Sequence, residues 1–425
     1  MGTFLIADGK ERGRAPLGPH GAATMEYQKS ALEGLIGDVD VTQPPQGLDP
    51  VVWEAFIPKT NKMTPERVEL GRELYFDVRL SRDGTVACAT CHDVTRGFSD
   101  QRKVSEGIRG QLGRRNSPTT LNVALLQTLF LDGRSPSLEH QARMPLINPI
   151  EMGMPDHEAV EQAVKKIPEY RDLFKKAYGR EVNIEDIGQA IAAFERTLIF
   201  MESPFMHFLR GDPAAISRDA KKGWDLFNGK ARCVTCHHIN PSNPLGTDNR
   251  FHNIGVSARH QDFEVLARRA LKALARDPSE QSLDQLALGT DMSELGRFMV
   301  TKNRSDIGAF RTSLLLNVGI TPPYMHDGSM NTLWDVMDHY NKGGEANPFL
   351  DGGMEPLALT ESEVDQIVAF LFSLTDSRFA EENKNQFAEQ KARAEKERPF
   401  RDQDLAFRRT LVFEKRVFGP QGFQK

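Results

Sequence analysis

Two short segments hold the residues best equipped for chemistry, Cys88-Ala89-Thr90-Cys91-His92 and Cys233-Val234-Thr235-Cys236-His237. Thiols spaced C-x-x-C face one side of a turn, and a histidine directly after the second reaches the centre of whatever the sulfurs grip. A haem offers two vinyl groups to such thiols and an iron to such a histidine. Each segment therefore reads as a covalent c-type haem attachment site, with His92 or His237 as proximal ligand. Zinc knuckles and redox dithiols also use C-x-x-C. A four-sulfur zinc site has no need of a histidine after each pair, however, and a redox dithiol expects a βαβ context. These four cysteines are all the chain has, which leaves none for a disulfide.

Repetition extends beyond the motifs. Leu70-Gly71-Arg72-Glu73-Leu74-Tyr75-Phe76 precedes the first and Lys222-Gly223-Trp224-Asp225-Leu226-Phe227 the second, each reading as a helix that leads into a haem turn. Downstream, Leu121-Asn122-Val123 and Leu316-Asn317-Val318 are each followed at the same distance by Asp-Gly, at Asp132-Gly133 and Asp327-Gly328. The second copy carries an insertion from about Arg250 to Asp306, with an amphipathic helical pattern at Phe263 to Arg276. Helical periodicity recurs at Ile187 to Phe200, Leu333 to Tyr340 and Val364 to Leu374, and long alternating strand patterns are absent. The expected fold is mostly α, with two cytochrome c-like domains, each around one haem. The divisions expected are an N-terminal leader at 1–60, a first haem domain at 61–210, a second at 211–375, and a charged extension at 376–425. Pro44 to Pro58 reads as leader, and Gly211-Asp212-Pro213 as the punctuation between the halves. The extension carries Phe379, Phe387, Phe400, Phe407, Phe413 and Phe418 among its charges, as a helix and arm packed on the body would.

A chain of 425 residues with 27% charged and 39% hydrophobic residues and a net charge of −5 is ordinary for a globular protein and offers no basic field for nucleic acid. The longest apolar runs, Val123 to Leu131 and Leu314 to Ile320, are too short to span a membrane. Haem attachment to C-x-x-C-H takes place on the oxidising side of the bacterial inner membrane, so the mature protein is expected in the periplasm, with its export signal outside this sequence.

With both haem motifs, Asp132-Gly133-Arg134, Gln141, Asn148-Pro149-Ile150-Glu151-Met152-Gly153 and Pro322-Pro323-Tyr324-Met325-His326-Asp327-Gly328 in view, the chain resembles the bacterial dihaem cytochrome c peroxidase and MauG family over about residues 65 to 375. The resemblance implies that the first haem is the peroxide site. Many relatives close its iron with a histidine from a loop that matches Ser105 to Arg115; here the aligned residue is Ile108, and no histidine lies between His92 and His140. An open sixth position is expected, with His140 the alternative residue that would close it. The resemblance also makes Glu151 the distal carboxyl, with Gln141 and Pro145 as its neighbours. Heterolysis of an O–O bond needs a proton moved from one oxygen to the other, which a carboxyl does well.

On the second haem, the position that is methionine in the peroxidases and tyrosine in MauG-like proteins is Tyr340, which favours the MauG-like branch. Met337 is the rival ligand, and Leu333, Met337 and Tyr340 also share one helical face that core packing alone would explain. Asn116, Thr321 and Pro323 match the positions that hold a calcium ion between the haems. Two departures stand out: Leu131 occupies the place of the family's inter-haem tryptophan, and Leu316 that of a common arginine. His326 is placed to meet a haem propionate, whereas His252, His339 and the remaining histidines read as surface or capping residues. The implied function is a haem enzyme that reacts with hydrogen peroxide and oxidises a partner protein or donor by long-range electron transfer. The alternatives are a peroxidase fed by a small cytochrome or cupredoxin, and a dihaem electron carrier without catalysis.

Overall fold

In the computed structural model, residues 22–398 are described except for 38, 39, 242, 260 and 261. Phe400, Phe407, Phe413 and Phe418 of the extension lie outside the described residues. The structure is mostly α-helical. Among the described residues its one named sheet is an antiparallel pair, Phe251–His252 against Phe310–Arg311, in register Phe251 opposite Arg311.

Each half is built on a helix pair crossed at a glycine. Thr64 caps the helix Pro65–Tyr75, which crosses the helix Ile184–Glu195; Ser217 caps Arg218–Asn228, which crosses Glu361–Phe372. At the crossings a Cβ on Gly71 would stand 1.9 Å from the Ala190 carbonyl oxygen, and one on Gly223 2.0 Å from that of Gln366. Phe194 and Phe370 occupy matching places beside the two glycines. The repeat seen in the sequence is thus a repeat of packing, as the two cytochrome c-like halves require.

The asparagines of the repeat explain the loops. Asn122 and Asn317 are fully buried in left-handed backbone (φ 61° and 66°), and both side chains donate to the carbonyl oxygen of Phe200, at 3.1 and 3.0 Å. Asn122 also accepts from the Phe200 N–H, and Asn317 from that of Asp376. This claim on Phe200 is why the helix expected to run to Phe200 stops at Glu195.

Three regions differ from or add to the sequence expectation. The segment Pro44 to Pro58, read as leader, contains the capped helix Pro50–Phe56 and buries Trp53 among the residues of the larger core. The charged helix Ala380–Glu397 packs through amides: Gln390 accepts from Tyr324 Oη and the Leu333 N–H and donates to Gly319 O, while Phe387 meets Trp334 and Phe372. The insertion forms its own apolar cluster from the helix Phe263–Arg276 with Met292, Leu295, Phe298 and Ile307. The two-stranded sheet ties its ends together.

Candidate active site

Cys88 to Cys91 form a single helical turn that ends at His92, and Cys233 to Thr235 a tighter turn before Cys236 and His237. All four thiols are free, and among the described residues they do not gather into one metal cluster, which leaves the four-sulfur zinc reading without a site. His237 Nδ1 lies 2.6 Å from the Gly246 carbonyl oxygen, so it carries the proton there and leaves Nε2 as the lone-pair donor. His92 Nδ1 meets the Ser117 hydroxyl at 3.3 Å. Burial pushes its pKa down to about 4, so the imidazole is neutral, the form that binds iron.

Both histidines open onto one cavity of about 560 Å³ shared by the two halves, lined by Cys233, Cys236, Met337 and Tyr340 on one side and by Leu126, Leu129, Gln141 and Glu195 on the other. The walls suit haem. They are largely apolar, they present two imidazoles, and they contain Arg311, a buried guanidinium with Nη1 unpartnered where a propionate carboxylate would satisfy it. Burial lowers the Arg311 pKa to about 10, which leaves it cationic at neutral pH.

Glu151, the distal carboxyl that the resemblance implies, follows the short helix Met144–Ile147 that begins beside Pro145 and is not among the residues that line the shared cavity. The Asn148 side-chain oxygen accepts from the N–H groups of Ile150 (2.9 Å) and Glu151 (3.4 Å), and the Pro145 carbonyl accepts from Met152 N. One Glu151 carboxyl oxygen is buried with no hydrogen-bond partner. Burial, then the negative charge of Asp284, pushes its pKa up to about 8 against the opposing pull of Arg134. It stands near enough to Cys88 and Cys91 to perturb both thiols.

Ile108, in the place of the family's closing histidine, is buried; its N–H donates to Glu151 O, and its side chain lies where a Cβ on Gly153 would be. His140 is engaged at both nitrogens, Nδ1 with Ser135 Oγ at 2.9 Å and Nε2 with Glu280 at 3.1 Å. Around the second haem, Tyr340 and Met337 both line the cavity from the helix Leu333–Asn341, and Met337 is the more deeply buried, within the core cluster. Burial pushes the Tyr340 phenol well above its usual range. His339 donates from Nε2 to Ile254 O at 2.8 Å, turned away to hold the next segment.

Asn116, Thr321 and Pro323 also line the shared cavity. The Asn116 N–H donates to His326 O and its side-chain amide to Arg102 O, which leaves Oδ1 available to a cation. His326 lines the cavity as well, buried, stacked on Phe310 at 3.9 Å and paired with Glu294 at 2.9 Å. Leu131 lines the cavity, with its carbonyl accepting from Arg311 N.

Sequence reasoning missed four residues of this site. Arg311 and Glu195 line the cavity; His252 stands there between Asp248 (3.0 Å) and Asp351 (2.7 Å), beside Cys236, and is no simple surface residue. Asp284 of the insertion pairs with Arg134 at 2.8 Å and accepts from the Asn148 amide. None carries a local motif. The one available hint was the Asp-Gly-Arg segment, whose buried charges require partners from elsewhere in the chain.

A family model described as di-haem cytochrome c peroxidase matches residues 65–214. The chain is 39% identical over 319 residues to the methylamine utilization protein MauG of Methylorubrum extorquens, covering 75% of this chain and 80% of that protein. It is 34% identical over 317 residues to the cytochrome c551 peroxidase of Nitrosomonas europaea, covering 74% and 82%. Among solved structures, a MauG-like protein associated with microbial copper homeostasis aligns with a TM-score of 0.62 at 29% identity, covering 80% of this chain and 95% of that one.

Proposed function

The chain belongs to the di-haem cytochrome c peroxidase family, and from that premise we propose that it is a MauG-like member that reduces hydrogen peroxide at an open first haem and oxidises a partner protein or donor at a distance. Cys88, Cys91 and His92 would hold the first haem, and Cys233, Cys236, His237 and Tyr340 the second, with Arg311 meeting a propionate. When bound, the haems supply the electrons that peroxide consumes and pass the deficit to the partner. The chain's own part is proton handling: Glu151, a neutral carboxyl, gives its proton to the far oxygen of hydrogen peroxide, which leaves as water, and takes the proton of the near oxygen in its place. Gln141 and Pro145 shape the space around it. Asn116, Thr321 and Pro323 would hold calcium between the halves. The expected compartment is the periplasm, where c-type haem is attached.

What carries this reading is the asymmetry of the two distal sides. Beside the first haem this reading puts Ile108 in place of a closing histidine, a His140 engaged at both nitrogens, and a Glu151 carboxyl oxygen without a partner. Beside the second it puts Tyr340, which lines the cavity together with Met337 and whose oxygen would become anionic on binding iron. An anionic oxygen ligand lowers an iron's potential, and this supports the MauG-like version over a peroxidase with a methionine-ligated electron reservoir fed by a small cytochrome or cupredoxin.

The test is rapid mixing of the ferric haem protein with stoichiometric peroxide. Glu151→Gln should slow the spectral change by about 100-fold or more, and unchanged kinetics would remove Glu151 from the mechanism. A methionine-to-iron charge-transfer band in the starting spectrum would replace Tyr340 by Met337. Low-spin iron at both centres and indifference to peroxide would leave an electron carrier.

A further inference from the structure

The insertion that interrupts the second half reaches back to the first haem's distal side. Its helix Glu280–Gly289 carries Asp284, which is buried and placed between two groups of the first half. Asp284 Oδ1 accepts from Arg134 Nε at 2.9 Å and forms an ion pair with its Nη2 at 2.8 Å, and Oδ2 accepts from the Asn148 amide. That same amide receives the Glu151 N–H through its oxygen. The rest of the insertion clamps the loop around Asp132: Arg297 donates to Asp132 O and Gly133 O, and Ser293 O accepts from Arg115.

We propose that Asp284 is a positioning residue of the peroxide site, contributed by the insertion: through Asn148 it holds the Glu151 backbone in place, and it sets a like charge beside the Glu151 carboxyl. The inference rests on the role given to Glu151 above. An amide has two distinguishable ends, and a carboxylate at one end obliges the nitrogen to point to it and the oxygen to point to the Glu151 N–H. Without Asp284 the amide is free to turn.

The charge acts together with geometry. Asp284 and Arg134 are the charged groups whose fields act on Glu151. Behind Arg134, Asp132 is shared between that arginine and Arg115. Arg82, Glu106, Arg109 and Arg114 on the flanking loops are exposed, where water screens them. Cys88 and Cys91 are uncharged as thioethers. Burial does most to hold the Glu151 carboxyl protonated, and Asp284 adds a negative charge that acts on it against the pull of Arg134.

The experiment follows the carboxylic-acid C=O stretch of Glu151 against pH by infrared difference spectroscopy on the haem protein, with the band assigned by its loss in Glu151→Gln. In the unaltered protein the midpoint is expected at about 8. In Asp284→Asn it should fall by about one unit or more, and the pH profile of the peroxide reaction should move with it. Asp277→Asn removes a charge from the exposed segment before the same helix and should leave the band in place. The double variant Asp284→Asn/Arg134→Gln, which leaves no unpaired charge, should also lower the midpoint, but by less. An unmoved midpoint in folded Asp284→Asn, or in the double variant if the single one does not accumulate, overturns the proposal while Glu151→Gln remains slow. Full activity in Glu151→Gln would instead overturn the reading of Glu151 itself.

Discussion

Glu151 and Glu195 each bury a carboxyl oxygen that has no partner, and each is held protonated to about pH 8, Glu195 by burial against the pull of Arg196. A carboxyl whose folded pKa lies above its unfolded value of 4.5 costs the fold stability throughout the pH range in which only the unfolded form ionises. Stability is thus lost as pH rises from about 4.5 to about 8 and is flat beyond. Replacing Glu195 by Gln should remove that loss. Urea unfolding should find Glu195→Gln more stable than the parent at pH 8 by an amount on the order of a few kcal/mol, and little changed at pH 5; an equal difference at both values would refute the argument. Asp132 has the opposite sign: burial opposes its ionisation, but Arg134 and Arg115 outweigh that and hold its pKa well below the usual range, so its contribution disappears only in acid. The residues legible in the sequence were those whose chemistry needs neighbours in the chain, as Cys88, Cys91 and His92 do. Glu195, Arg311 and Asp284 were not legible, because each owes its character to burial beside segments far away in sequence.

At the scale of elements, the two helix crossings make parallel demands. Gly71 and Gly223 are both contacted by a carbonyl oxygen of the crossing helix, at a distance no Cβ tolerates, so the helices must separate if either glycine gains a methyl group. Gly71→Ala and Gly223→Ala should each cost about 1–3 kcal/mol and loosen the haem turn that follows the helix. Thermal unfolding monitored in the Soret region would show it, and a melting temperature unchanged in both variants would contradict the packing described. The helices themselves were readable from periodicity, and their ends were off by only a few residues. The exception, the end near Phe200, was set by Asn122 across the fold rather than by a local stop signal.

For the molecule as a whole, the carbonyl oxygen of Phe200 is the point at which both halves meet, since Asn122 of one and Asn317 of the other donate to it. The halves should therefore be coupled in stability. A double-mutant cycle of Asn122→Ala and Asn317→Ala is expected to give a coupling energy of about 0.5–1.5 kcal/mol, read from denaturant unfolding; strict additivity would mean that the shared acceptor does not link them.

Read alone, the sequence determined that two c-type haems are held in duplicated, mostly helical halves, because haem attachment and helix amphipathicity are both written in short spacings. Only the tertiary structure decided that the halves share one cavity, that Trp53 and the charged C-terminal helix belong to the packed body, and that the insertion supplies Asp284 to the opposite half. Those facts depend on which distant surfaces exclude water together, and local spacing along a chain carries no record of that.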